Sequence, residues 1–264
     1  MKVRFLVGLL TLAGAVTAPP YHAFAEKMVH VMPTNLVFAP GERSKTMYLT
    51  NRSGKDKVYE IFFTDIIMQD GASRKKVETF PYSAKRMLRY VPRRITVKSG
   101  QRQTVRIMTR RRPDLEDGDY HTHITFRHRP DKKPSGQKEK GFAVDIGMIY
   151  SVAVPVVIQH GELTGEIRIA GVDKDATTEK NLVVNFERTG NSEGRGHLKV
   201  FRKTPEGLER ITHGFNPRIY REANTDTSSV RLLEGKKPEG DLLLRLLEND
   251  NRDARILQEM EVSL

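Results

Sequence analysis

The chain reads as short stretches of alternating apolar and polar residues set between breakers, and helical periodicity is almost absent. Period-two alternation places successive side chains on opposite faces of an extended strand, so the pattern predicts β-structure throughout. A first set of segments covers 28–38, 46–51, 58–68, 94–97, 104–108, 120–126 and 142–158. Turn residues lie between them, among them Ala39-Pro40-Gly41, Asp70-Gly71, Ser99-Gly100 and Glu116-Asp117-Gly118. About seven strands over roughly 130 residues suit one immunoglobulin-like sandwich. Gln159-His160-Gly161 reads as a short hinge, and a second set follows at 166–172, 181–187, 197–201, 208–212, 229–233, 241–247 and 256–264. The expected fold is all-β, two tandem immunoglobulin-like β-sandwich domains spanning 26–160 and 161–264.

Segment 142–158 breaks the pattern by its length. Its even positions, Phe142, Val144, Ile146, Met148, Tyr150, Val152, Val154, Val156 and Ile158, are all apolar and would share one strand face. At ~3.3 Å per residue such a strand spans roughly 55 Å, more than one sandwich needs. It is either two core strands bent at Gly147, or a strand whose first part carries an apolar row for another chain's sheet. An exposed row of this kind invites aggregation unless a partner covers it. The stretch 129–141 before it has Pro130, Pro134, Ser135, Gly136 and four lysines, with no apolar residue to pack it down. Long polar loops of this kind are commonly functional.

The N-terminus has the three parts of a secretory leader. Lys2 and Arg4 precede an apolar run from Phe5 to Val16, and Ala23-Phe24-Ala25 offers a small-residue cleavage site. The apolar run is too short for a bilayer span, which needs about 20 residues. Cleavage after Ala25 would leave an exported protein of 239 residues with no membrane insertion.

Composition sharpens the class. The chain of 264 residues has 45 Lys+Arg against 33 Asp+Glu, a net charge of +12, and neither cysteine nor tryptophan. No disulfide framework, thiolate metal site or cysteine nucleophile is possible. The basic excess first suggests nucleic acid, but the clusters at 93–94, 110–112 and 132–140 lack interleaved aromatics that stack on bases. They are expected to be solvated strand ends and loops, or a surface for an acidic protein. Asp119, His121 and His123 alternate on one strand, a donor set that a metal could use, yet no metal or cofactor is expected. Asn51-Arg52-Ser53 fits a glycosylation sequon, and 190–196 is Gly-rich but lies between strands, so a turn is expected there. No H-E-x-x-H, G-x-S-x-G or phosphate-loop motif is present, and no enzymatic role is expected.

Four stretches together carry a family resemblance: NLVFAPGERSKTMYLTN at 35–51, LRYVPRRITVKSGQRQTVRI at 88–107, DGDYHTHITF at 117–126 and VAVPVVIQHG at 152–161. In this order and spacing the chain resembles the periplasmic pilus chaperones, the PapD-like family, in its non-classical branch without cysteines. The resemblance is close in the first half and loose in the second. It implies a chaperone that lends a strand to pilus or fimbrial subunits and delivers them to an outer-membrane usher. On that reading the donor residues are Phe142, Val144, Ile146, Met148 and Tyr150, while Val152, Val154 and Val156 serve the chaperone's own core. The family's basic pair that grips the subunit's C-terminal carboxylate would fall at Asn35 and Pro155, neither of which is basic, so the anchor is unassigned. The alternative is an exported immunoglobulin-like binding or structural protein of the cell envelope with no pilus client.

Overall fold

The computed structural model describes residues 29–69, 73–128 and 149–264. Its strands are, in order, β1 (His30–Met32), β2 (Leu36–Phe38), β3 (Ser44–Thr50), β4 (Lys57–Met68), β5 (Arg74–Val77), β6 (Leu88–Val91), β7 (Arg94–Val97), β8 (Arg102–Thr109), β9 (Gly118–His128) and β10 (Tyr150–His160). There follow β11 (Glu166–Lys174), β12 (Asn181–Thr189), β13 (Gly194–Arg195), β14 (His197–Thr204), β15 (Gly207–Arg210), β16 (Arg218–Ile219), β17 (Thr225–Arg231), β18 (Asp241–Leu247) and β19 (Ile256–Ser263). Among the described residues the helical element is a single 3-10 turn, Lys85–Met87.

The first ten strands form two facing sheets. One runs β1-β3-β8-β6; the other runs β2-β10-β9-β4, with β5 and β7 both on the far side of β4. Alternate residues meet between them: Phe38, Met47, Leu49, Tyr59, Ile107, Ile124, Phe126, Val156 and Ile158 are all buried in one cluster. The opening segment is two strands rather than one. Pro33 has no N–H for a ladder, and across it the chain leaves β1, paired with β3, to join β10 in the other sheet as β2. Splitting one edge between both sheets is how this sandwich closes its corner. Arg111 holds that corner: its guanidinium donates to the carbonyls of Glu42 at 2.7 Å and Ala39 at 2.6 Å, and to those of Phe38 and Gln159 at 3.3 Å. Within the basic cluster at 110–112 it is therefore a structural cation and not a solvated one.

The second sandwich packs β11-β12-β17 and the short pair β13-β16 against β15-β14-β18-β19. Leu182, Val184, Phe186, Leu198, Val200, Leu242, Leu244 and Leu246 fill it, and Met68 at the end of β4 joins the same cluster. The Gln258 amide of β19 accepts from the Ile169 N–H at 2.7 Å and donates to the Ile169 carbonyl at 3.1 Å. A side chain thus completes the ladder where β11 bulges between Ile169 and Gly171. The all-β, two-sandwich expectation is what the structure shows. Strands β5, β6, β13 and β16 were not anticipated. They are short, and β5 (RKKV) has no apolar alternation to reveal it. The turn expected at 194–196 contains β13. Asn51 is not available to a glycan: it is fully buried, and its amide nitrogen donates to the carbonyls of Lys55 and Val97, both at 2.8 Å.

The passage from β10 to β11 turns at Gly161, where φ is +61° and a Cβ would lie 1.6 Å from Asp117 Oδ1. Asp117 Oδ2 accepts the Glu162 N–H at 3.1 Å, so that carboxylate is part of the turn. Gly161→Ala is expected to cost about 1–3 kcal/mol and lower the Tm in a thermal melt. An unchanged Tm would mean the turn yields without strain.

Candidate functional site

Strand β10 has two unlike edges. One pairs antiparallel with β9 along its whole length, from Tyr150–His128 to His160–Gly118. The other pairs, in parallel, with β2 only over Val156, Val157 and Ile158. From Tyr150 to Pro155 that second edge has no strand beside it among the described residues. Pro155, which pairs with His123 of β9, is the last residue before β2 begins and offers no N–H to either side.

The even side chains of β10 point inward. Val154, Val156 and Ile158 are buried, and Val152 packs half-buried against the first core. Tyr150 also lies half-buried against this core. Its hydroxyl is 3.0 Å from that of Tyr59, its ring meets His128 at 5.1 Å, and the Lys57 ammonium sits 5.2 Å from its centroid. Tyr150, the last of the donor residues that the resemblance implies, thus also makes contacts within its own chain. Phe142, Val144, Ile146 and Met148 lie outside the described residues.

Behind β10 lies a polar seam that joins the two sandwiches. β9 buries both faces: Tyr120, Ile124 and Phe126 enter the core, while Asp119, His121 and His123 face the second sandwich. His121 Nε2 is 2.9 Å from Glu222 Oε2, and its ring stacks on Tyr220 with centroids 4.2 Å apart. Glu222 Oε1 accepts the Met68 N–H at 2.8 Å. Asp119 Oδ2 accepts the Glu193 N–H at 2.6 Å. The Glu193 carboxylate is in turn gripped by Arg218, at 2.7 and 3.2 Å, and by Arg195 at 2.9 Å. The three residues singled out by their alternation do share one face, and the second sandwich meets Asp119 and His121 with hydrogen bonds, His121 with the stacked Tyr220 ring and His123 with the edge of that ring at 6.4 Å. Among the described residues no cluster of three or more His, Asp or Glu side chains has the spacing to hold a metal ion.

Arg188, itself buried, builds the partner surface. It donates to the carbonyls of Ala223 at 2.8 Å, Gly190 at 2.8 Å, Ser192 at 2.9 Å and Arg221 at 3.0 Å. One guanidinium thereby fixes two loops, 190–193 and 221–224, that supply Glu193 and Glu222. No period or motif marks these residues along the chain, because they come from loops brought together only by the second sandwich. Asn35, one of the two places where the resemblance puts a carboxylate anchor, lines a cleft of about 960 Å³ between the sandwiches. Its Oδ1 is 3.5 Å from Arg218 Nη2, on the guanidinium already engaged by Glu193.

Burial in the seam moves its titrations. Burial, helped by the nearby Glu193 charge, pushes the Asp119 carboxyl up to about 6, against the opposing pull of the Glu193 N–H, His121 and Arg221. Burial also pushes His123 down to about 4, and the charges of His121, Arg74 and Arg218 press the same way. Glu222 is penalised by burial, yet its bond to His121 and the Met68 N–H hold it below the usual carboxylate range.

No protein-family model matches the chain, and no curated protein does. Solved structures resemble it at low identity. The class 5 fimbriae chaperone CfaA is 15% identical over 89% of this chain and 98% of its own, with a TM-score of 0.45. A chain of the CsuC–CsuE chaperone–tip adhesion subunit pre-assembly complex, from archaic chaperone-usher Csu pili of Acinetobacter baumannii, is 11% identical over 89% of this chain and 97% of its own, with a TM-score of 0.49. A chain of the Salmonella enterica SafA pilin–SafB chaperone complex is 12% identical over 90% and 96%, with a TM-score of 0.47. Likeness at this level carries no client or partner across.

Asp119 and His123 act on stability with opposite sign. A carboxyl raised from 3.8 to about 6 binds its proton more tightly in the folded state, so its contribution falls as pH rises between these values. An imidazole lowered from 6.5 to about 4 leaves the folded state poorer in protons, so its contribution rises with pH over that window. Relative to the parent, Asp119→Asn is expected to gain stability as pH rises from 4 to 6, and His123→Gln to lose it, each by about 1–3 kcal/mol. Urea unfolding across that range checks both signs; parallel pH profiles for parent and variants would count against the assignment.

Proposed function

We propose that this protein is a periplasmic chaperone that binds pilus or fimbrial subunits by donor-strand complementation and delivers them to an outer-membrane usher. The observation that carries the reading is the edge of β10 over 150–155, which has no strand beside it among the described residues and leads back in sequence to an unbroken alternating row. A strand paired on one edge and bare on the other offers main-chain groups to an incomplete sheet, and its alternate side chains offer anchors for a groove. Phe142, Val144, Ile146, Met148 and Tyr150 are the donors in this reading. Tyr150 stands at the border, where the row passes into the chaperone's own core. Each large apolar side chain buried contributes up to ~1.5–3 kcal/mol, from which association and ordering subtract. The leader at 1–25, cleaved after Ala25, fits export to the periplasm, and 26–160 and 161–264 are the proposed domain bounds. The four-stretch resemblance to PapD-like chaperones supports the same reading.

Co-expression with candidate subunits and pull-down from periplasm tests it. Ile146→Asp and Met148→Asp are expected to abolish the complex, while circular dichroism shows the chaperone itself folded and soluble. Unfolding of these variants would make the row ordinary core and defeat the donor assignment. Val152→Asp is expected to destabilise the free chaperone by about 1–3 kcal/mol, since it places a carboxylate against the first core.

A further inference from the structure

We infer that a pocket beside the start of β9 is a docking site for an acidic protein segment that carries one apolar or aromatic anchor between carboxylates. The pocket holds about 430 Å³ and shares no lining residue with β10. That volume suits one or two side chains. Its walls come from two segments, 78–87 and 110–120. Met87, Leu115 and Tyr120 give it an apolar floor, and half-buried Phe80 stands at the side.

The rim is cationic on both walls: Lys85 and Arg86 on one, Arg110 and Arg112 on the other. Among the described residues Lys85, Arg86 and Arg110 have no ion-pair partner, and Arg112 approaches Asp114 only at 3.8 Å with both exposed. Against these four the lining sets one exposed carboxylate, Glu78, and the buried Asp65, with Asp114 exposed beside Arg112. Asp65 is already occupied, since its oxygens accept the hydroxyls of Ser83 at 2.8 Å and Thr122 at 2.6 Å. Three cations without an ion pair, and Arg112, thus ring an apolar hole, and a segment with carboxylates on either side of an apolar side chain would complement both features.

The frame is set before anything binds. The Ala84 N–H donates to the His121 carbonyl at 3.0 Å, and the His121 N–H to the Tyr82 carbonyl at 2.9 Å, which pins one wall to β9. The Arg110 N–H donates to the Met87 carbonyl at 2.8 Å, which joins the two walls. A preorganised hole loses little ordering entropy on binding. A protein segment fits better than nucleic acid, because no ring here is free for a base: Tyr120 is buried, and Phe80 leans on His121 with centroids 5.0 Å apart.

Fluorescence anisotropy with a labelled EEFEE peptide and the purified protein tests the site. The peptide is expected to bind, more weakly as salt rises. The paired variant Lys85→Glu, Arg86→Glu is expected to lose affinity by roughly tenfold or more. An EEAEE peptide is expected to lose a similar factor, through the missing anchor. The paired variant Arg102→Glu, Arg106→Glu, on exposed positions of β8, is expected to bind like the parent. Absence of binding, equal binding of EEAEE, or an equal loss from the β8 variant would each overturn the proposal. So would displacement of the peptide by a poly-dT oligonucleotide at lower concentration than by unlabelled EEFEE, which would make the partner a nucleic acid.

Discussion

Strand β9 leaves its residues no exposed side over most of its length, and the rest of the molecule is arranged around that. Both of its edges are paired, with β4 and with β10. Both faces are buried from Gly118 to Phe126. A buried polar group without a partner costs on the order of 1–3 kcal/mol, so Asp119 and His121 must be met by something. Their own sandwich supplies only its core on the opposite face. The second sandwich therefore has to sit where the Glu193 N–H and the Glu222 carboxylate can reach them. Tyr220, stacked on His121, adds an apolar plane to the same joint.

This makes Arg188 a determinant of how the two sandwiches stand to one another, although it touches neither histidine by hydrogen bond. A guanidinium has five fixed donors and no acceptor, which suits a position ringed by loop carbonyls. Its buried charge is costly, and burial lowers its proton affinity, but the carbonyls it gathers come from both loops of the seam. The segment 159–161 looked like a hinge from its Gly and polar residues. Structurally it is one of several connections: Asp117 accepts the Glu162 N–H, and the Asp119 N–H donates to the Asn191 carbonyl at 3.3 Å across the same junction.

What could be read in the sequence follows from what kind of contact makes each feature. Strands with one face in a core announce themselves by period two, as β8 and β12 do. Strands held by pairing alone do not: Arg74–Val77 is three cations and a valine, and β13 and β16 are two residues each. Alternation also put Asp119, His121 and His123 on one face correctly, because geometry within a strand is local. It could not name Glu193, Arg218, Tyr220 or Glu222 as their neighbours, since these lie from 70 to over 100 residues away and arrive through loops with no periodicity. Tyr220-Arg221-Glu222, an aromatic and charged run directly after the short β16, is the one local sign that a loop there meets something specific.

The same parity argument bears on β10. A strand cannot change which face a residue uses without a bulge, so one register governs β10 from Tyr150 to His160. Ile158, Val156, Val154, Val152 and Tyr150 point to the core in turn, and their burial lessens along that order until Tyr150 is held by a hydroxyl pair and ring contacts rather than by enclosure. In sequence the alternation continues unchanged through Met148, Ile146, Val144 and Phe142. A core of finite width can use only the first part of such a row. Selection for the chain's own stability would then stop acting on the remainder, and chance would not keep four further even positions apolar while the neighbouring odd ones include Asp145 and Gly147. In the proposed reading a second sheet that accepts the same strand in the same register would supply the missing requirement, and the edge from Tyr150, which has no strand beside it among the described residues, is where that sheet would have to start.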